Sequence, residues 1–385
     1  MRNTPTQLLT SLLVATAIGI TSLSAADSAA KYNLPKPDGK PADMSKPVKV
    51  FLIMGQSNGV GLGSVTGDKE ISLENAVKKQ GLYPFLVDDS GKWAERKDVR
   101  FVQIMDNKGG GASVSHNEWM VVKGNTMGVE YGVGHQLGNA LEEPVMILKS
   151  CIGNRSLAWD LLPPGSKRYL ADAKQRDGSV KKMVVAGYKD APDMWEADPA
   201  KGIDTPPPPF VDKKSGKPIA WYAGLQYDHD IANAKKVLSE LDKHYPGAKG
   251  YEVAGIFWWQ GEKDCGSEVH AANYEKNLVN FINALRKEFN APAAKFVMGT
   301  LGEATKDMIG KGGKEANEGK VLEAMLNVDS KSGKHPDLKG VATVYTHDMA
   351  RGGGGNGHYN HDSRVYMDVG LAMGEAMTEL LKNGN

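Results

Sequence analysis

Val48-Lys49-Val50-Phe51-Leu52-Ile53-Met54 is a nearly continuous apolar run that stops at Gly55, the pattern of a short parallel strand buried on both faces. Runs of the same kind recur at 145–148, 253–259, 296–298 and 341–345. Helical spacing fills the gaps. Tyr274, Leu278, Phe281, Ile282, Leu285 and Phe289 fall on one helix face, as do Ile231, Ala234, Val237, Leu238 and Leu241. Val369, Ala372, Met373, Ala376, Met377 and Leu380 repeat the pattern near the C-terminus. Strands alternating with helices predict an α/β fold, with a five-stranded parallel sheet between two helical layers and right-handed crossovers. A site in such a fold belongs at the carboxyl ends of the strands.

The chain has 385 residues, 41% of them hydrophobic and 24% charged, enough apolar mass for a full core. Its 47 Lys and Arg against 46 Asp and Glu leave a net charge of +1, which excludes the basic footprint of a nucleic-acid binder. Residues 1–26 read as a signal peptide: Arg2, an apolar run from Leu8 to Leu23, then small residues with cleavage near Ala25 or Ala26. Export is therefore expected, periplasmic or secreted, with no membrane span in the mature chain. Residues 27–46, rich in Pro, Ala and Lys, read as a flexible leader, and 47–385 as one domain. Two segments break its alternation, 88–127 and the Pro-rich 160–220, and read as insertions. Cys151 and Cys265 are candidates for a disulfide in an oxidising compartment.

Chemistry-bearing residues sit at successive strand ends. The first strand runs into Gly55-Gln56-Ser57-Asn58-Gly59, a turn able to present a serine hydroxyl. After the second strand comes Ile152-Gly153-Asn154-Arg155-Ser156-Leu157, where Gly153 allows close backbone approach to a ligand. The third leads into Trp258-Trp259-Gln260-Gly261-Glu262-Lys263-Asp264, an amide beside two carboxylates. Following the last strand, a glycine run delivers His358-Tyr359-Asn360-His361. Serine first, histidine last and neutral donors between are the parts of acyl transfer: nucleophile, base and oxyanion hole.

These segments, with Gly128-Val-Glu130-Tyr-Gly132, resemble the SGNH-type carbohydrate esterases, in particular the sialate O-acetylesterase-like and family-six acetylxylan esterase group. The resemblance spans residues 47–381 and implies a flavodoxin-like three-layer α/β/α sandwich. It further implies an exported serine esterase that removes O-acetyl groups from a polysaccharide or from O-acetyl sialic acid through an acetyl-enzyme, without metal or organic cofactor. Ser57 is then the nucleophile and His358 the base. The Ser57 amide, Gly153 and Gln260 form the oxyanion hole, with Glu130 and Glu262 behind them.

One position departs from the pattern. Gly355 stands where the group carries an aspartate three residues before the histidine, so the histidine's orienting acid is Asp264 or Asp348, or a backbone carbonyl replaces it. His361 is the rival base. Trp159, Trp195 and Trp221 are candidates to stack on a sugar ring. Other classes compete: a non-catalytic glycan-binding module, a lipid or thioester hydrolase, and a metal site built from His347, His358, His361 and Asp362.

Overall fold

The computed structural model describes residues 32–106 and 112–384. The proposed signal peptide and the glycine triplet at 109–111 lie outside the described residues. All five expected strands form: β1 (Val48–Gly55), β4 (Val145–Lys149), β8 (Tyr251–Trp259), β9 (Lys295–Gly299) and β10 (Val341–Val344). Ordered across the sheet they run β4-β1-β8-β9-β10, all parallel, the doubly wound order whose switch point lies between the first and third of them. Gly55 at the end of β1 is paired with Trp259 at the end of β8, so the two loops that follow leave side by side at the switch point.

The sheet is wider than expected, with seven strands in place of five. Within the first insertion, β2 (Arg96–Asp106) pairs parallel with β4, and β3 (Ala112–Met120) pairs antiparallel with β2 at the edge. Most of β3 is exposed or half-buried, so it lacks the apolar run that marks the central strands. The second insertion makes its own antiparallel sheet of β5 (Tyr169–Lys174), β6 (Val180–Val185) and β7 (Met194–Glu196). Its small core contains Leu162, Val184 and Trp195.

Alternation along β1 builds two cores. Val50, Leu52 and Met54 point to one face, where α3 (Leu225–Ser239), α5 (Tyr274–Glu288) and α6 (Ala316–Val328) bring Ile231, Phe281 and Val321. Phe51 and Ile53 point to the other, toward Tyr131 of α2 (Glu130–Ala140) and Val369 of α7 (Ser363–Lys382). The result is the flavodoxin-like three-layer sandwich, with burial on both faces accounting for the uninterrupted apolar runs. Among the described residues no helix is long and apolar enough to cross a membrane.

Candidate active site

The chain turns sharply where β1 ends. Gly55 has φ 146°, and a Cβ there would collide with the Trp259 carbonyl, so glycine is required for the turn to lie against β8. Ser57 opens the one-turn helix α1 (Ser57–Val60), with half-buried Ser57 between buried Gln56 and Asn58. A cavity of about 680 Å³ opens above it, lined by Ser57, Gly153, Glu262 and His358 among others. Gly153 faces the serine closely: a Cβ built on it would lie 3.6 Å from the Ser57 Cβ. Among the described residues neither the Ser57 nor the Gly153 amide N–H has a protein acceptor. Asn154, in the left-handed region at φ 58°, exposes its side chain to the same cavity.

Gln260 is placed differently. It is fully buried, its Nε2 donates to Arg155 O at 2.9 Å and Asp264 Oδ2 at 2.6 Å, and its Oε1 accepts from Tyr274 Oη at 2.9 Å. Its amide hydrogens are committed, and the side chain does not line the cavity. Asp264 also accepts from the Leu157 and Ala158 amides at 2.8 and 2.9 Å. Gln260 and Asp264 thus clamp the loop that carries Gly153 and Asn154, and among the described residues Asp264 makes no hydrogen bond to His358. Burial raises the Asp264 carboxyl above its ordinary value, opposed mainly by the charge of His270.

His358 comes from a left-handed turn in which His358, Tyr359, Asn360 and His361 have φ between 50° and 59°. For residues other than glycine this conformation costs roughly 1–2 kcal/mol each. Tyr359 holds the turn down: it is buried, stacks on Trp259 at 5.3 Å and accepts from Asn58 Nδ2 at 3.2 Å. His358 lines the cavity, whereas His361 lies outside it with Nδ1 on Leu62 O at 2.9 Å. Among the described residues His358 has no hydrogen-bonded carboxylate or carbonyl; Asp348 is exposed on a separate turn. The His358 and His361 rings lie 5.9 Å apart, but among the described residues they form no group of three or more metal-ligating side chains: His347 Nδ1 is on Gly302 O at 2.8 Å, and Asp362 holds Arg364 at 2.7 Å.

Behind the missing aspartate stand two glutamates. A Cβ on Gly355 would overlap the Glu262 carboxylate and come within 2.8 Å of Glu303 Oε2, while the Gly355 amide donates to Glu303 at 2.9 Å. Glu262 in turn accepts from Gln56 Nε2 and Asn58 Nδ2, on either side of Ser57. Burial, then the Glu303 carboxylate, push the Glu262 carboxyl up to about 8. Gly355→Asp would add a third carboxylate to this space and is expected to lower stability by more than about 2 kcal/mol in urea denaturation, without recreating a triad. Glu262 keeps its proton in the folded protein well above the ordinary glutamate value of 4.5. Its contribution to stability is therefore full below pH 4.5 and lost as pH rises through about 8. Glu262→Gln, permanently neutral, should flatten that decline when stability is measured across pH 4–9.

Glu130 is nearly fully buried at the start of α2, where it accepts from the Gly128 amide at 2.8 Å and from Lys149 Nζ at 2.9 Å. Lys149 Nζ also donates to Val60 O at 2.8 Å, tying the carboxylate to the end of α1. The cysteines do not pair. Cys151 is a buried thiol whose Sγ lies 3.4 Å from Ile53 O, and Cys265 is a free thiol on α4 (Glu262–Cys265). Burial raises the Cys151 thiol well above its ordinary range. Of the tryptophans, Trp195 is core, with Nε1 on Thr205 O at 2.9 Å, and Trp221 lies under the Arg155 guanidinium at 4.5 Å. Asp193, His270 and Glu303 join the site without any motif to announce them, and Asn154 joins it from within the Gly153 segment, where the sequence alone assigns it no role.

Residues 213–379 match the family model described as carbohydrate esterase, sialic acid-specific acetylesterase. Over these residues, less than half of the chain, the protein is similar to that esterase family. Its reaction class is carboxylic ester hydrolysis, on the O-acetyl esters of carbohydrates. No curated protein matches the esterase. Among solved structures, it is similar to a protein from Arabidopsis thaliana at 15% identity and TM-score 0.45, covering 88% of this chain and 100% of that one. A carbohydrate acetylesterase from Xanthomonas citri aligns at 15% identity and TM-score 0.45, over 87% of this chain and 56% of that one. NanS aligns at 10% identity and TM-score 0.40, over 81% of this chain and 79% of that one.

Proposed function

We propose that the protein is an exported serine esterase that deacetylates carbohydrates through an acetyl-enzyme on Ser57. The observation that carries this reading is one cavity at the switch point of the sheet lined by Ser57, Gly153 and His358. Ser57 Oγ attacks the acetyl carbonyl carbon while His358 accepts its proton. The amide N–H groups of Ser57 and Gly153, unspent among the described residues, stabilise the tetrahedral oxyanion, each contributing about 3–4 kcal/mol in a water-excluded site. Asn154 supplies the third donor in place of Gln260, which acts as a buttress for its loop. The sugar oxygen leaves with the proton from His358. Water, deprotonated by the same histidine, then attacks the acetyl-enzyme and releases acetate. With no carboxylate on His358 among the described residues, a Ser/His dyad does the work, and the Glu262–Glu303 pair holds the serine and histidine loops together. Export rests on the signal-peptide pattern of residues 1–26.

A fluorophosphonate should label the protein once, with the added mass on the peptide containing Ser57; labelling elsewhere, or none in folded protein that releases acetate, would refute the acetyl-enzyme. A second expectation concerns pH. Burial, then the neighbouring His361, hold His358 below the ordinary histidine value of 6.5. Since the base works in its neutral form, kcat/KM should fall on acidification with a midpoint below pH 6.5 and stay flat through pH 7.

A further inference from the structure

Beside the main cavity lies a second, of about 300 Å³, which shares Asn154, Asp193, Lys263 and His270 with it. Its far wall is aromatic. Trp159 and Phe210, half-buried, meet edge to face with ring centroids 5.9 Å apart. Phe210 comes from the Pro-rich insertion, as does Asp193, so this wall is built by the part of the chain that lies outside the regular sandwich. His270 is 6% exposed and its Nε2 has no hydrogen-bond partner among the described residues; the Asp193 carboxylate is 4.0 Å away. A buried ring nitrogen left without a hydrogen bond costs free energy unless something fills the cavity beside it. The lining is charge-balanced, with Arg155 and Lys263 against Asp160 and Asp193. Aromatic walls with both donors and acceptors and no net charge suit a neutral sugar ring, apolar on its C–H faces and hydroxylated at its rim.

We propose that this second cavity is a subsite for a neutral sugar residue next to the acetylated one, so that the enzyme acts on acetyl groups along oligo- or polysaccharide chains. Trp159 and Phe210 take the ring, and His270 and Asp193 take its hydroxyls at the junction with the main cavity. The proposal rests on the esterase reading of the main cavity, and the test separates the two. Initial rates are measured on 4-nitrophenyl acetate, acetylated xylose and acetylated xylotriose, for wild type, Trp159→Ala and Phe210→Ser. The expected result is a kcat/KM roughly tenfold higher on acetylated xylotriose than on acetylated xylose, carried by KM, with that advantage reduced several-fold in either variant relative to 4-nitrophenyl acetate. Phe210→Ser keeps the test open if Trp159→Ala fails to fold. Equal kcat/KM on the mono- and trisaccharide, or an advantage unchanged in both variants, overturns the subsite while leaving the esterase intact. Failure to hydrolyse even 4-nitrophenyl acetate overturns the esterase reading on which the subsite depends.

Discussion

Ser57→Ala is expected to lower kcat/KM for acetate release from acetylated carbohydrate by roughly ten-thousand-fold or more, with thermal stability unchanged. The two halves of that expectation have separate causes. Among the described residues the Ser57 side chain makes no hydrogen bond and Ser57 is half-buried at the mouth of a cavity, so removing one oxygen leaves no partner stranded. In the proposed mechanism the same oxygen carries the acetyl group, so its loss removes the pathway. His358→Asn should cost a comparable factor, asparagine being chosen because it tolerates the left-handed backbone at φ 50°. The double variant should be hardly worse than either single one, because the proposed nucleophile and base would act as a unit. His361→Asn is the control: its ring lies outside the cavity on Leu62 O, so most activity should survive. If His361→Asn abolished acetate release and His358→Asn did not, the base would be reassigned.

The features that could be read from the sequence are those fixed by alternation and burial. A strand buried on both faces must be apolar throughout, which is why β1, β4 and β8 stand out, and a doubly wound sheet brings the loops after such strands to one edge. Ser57, Gly153 and His358 therefore share a cavity although they are separated along the chain by up to three hundred residues. The edge strand β3 does not stand out within the first insertion, where only residues 119–122 read as strand-like, because the rest of the strand is exposed or half-buried and carries no continuous apolar run. Gln260 shows a second limit. A residue one step beyond a strand can turn either way, and here the Arg155 carbonyl and the Asp264 carboxylate compete for its amide hydrogens and win. Asp193, His270 and Glu303 sit in segments whose position depends on long-range packing, and no local spacing marks them. The cysteines follow the same logic: each follows a core strand, but Cys151 turns under Ile53 into one core while Cys265 ends a short helix packed against the other.

Lys149→Met should be the most damaging substitution away from the cavity, lowering folding stability by about 3–5 kcal/mol in urea denaturation. Lys149 is 1% exposed, and its ammonium group is shared between Glu130 Oε2 at 2.9 Å and Val60 O at 2.8 Å. Methionine replaces the volume but leaves the Glu130 carboxylate, itself 2% exposed, with only the Gly128 amide among the described residues to offset its charge. The cost is that of a stranded buried charge and does not measure the worth of the ion pair, so removing the second charge should recover much of it. Glu130→Gln together with Lys149→Met is therefore expected to be more stable than Lys149→Met alone, a coupling a double-mutant cycle reads directly. Activity should not recover in parallel. Val60 closes α1, the turn that begins at Ser57, and in both variants its carbonyl loses the lysine that fixes it to β4. Stability regained with kcat still depressed would show that Lys149 positions the serine turn; stability and kcat restored together would reduce the pair to a structural contact.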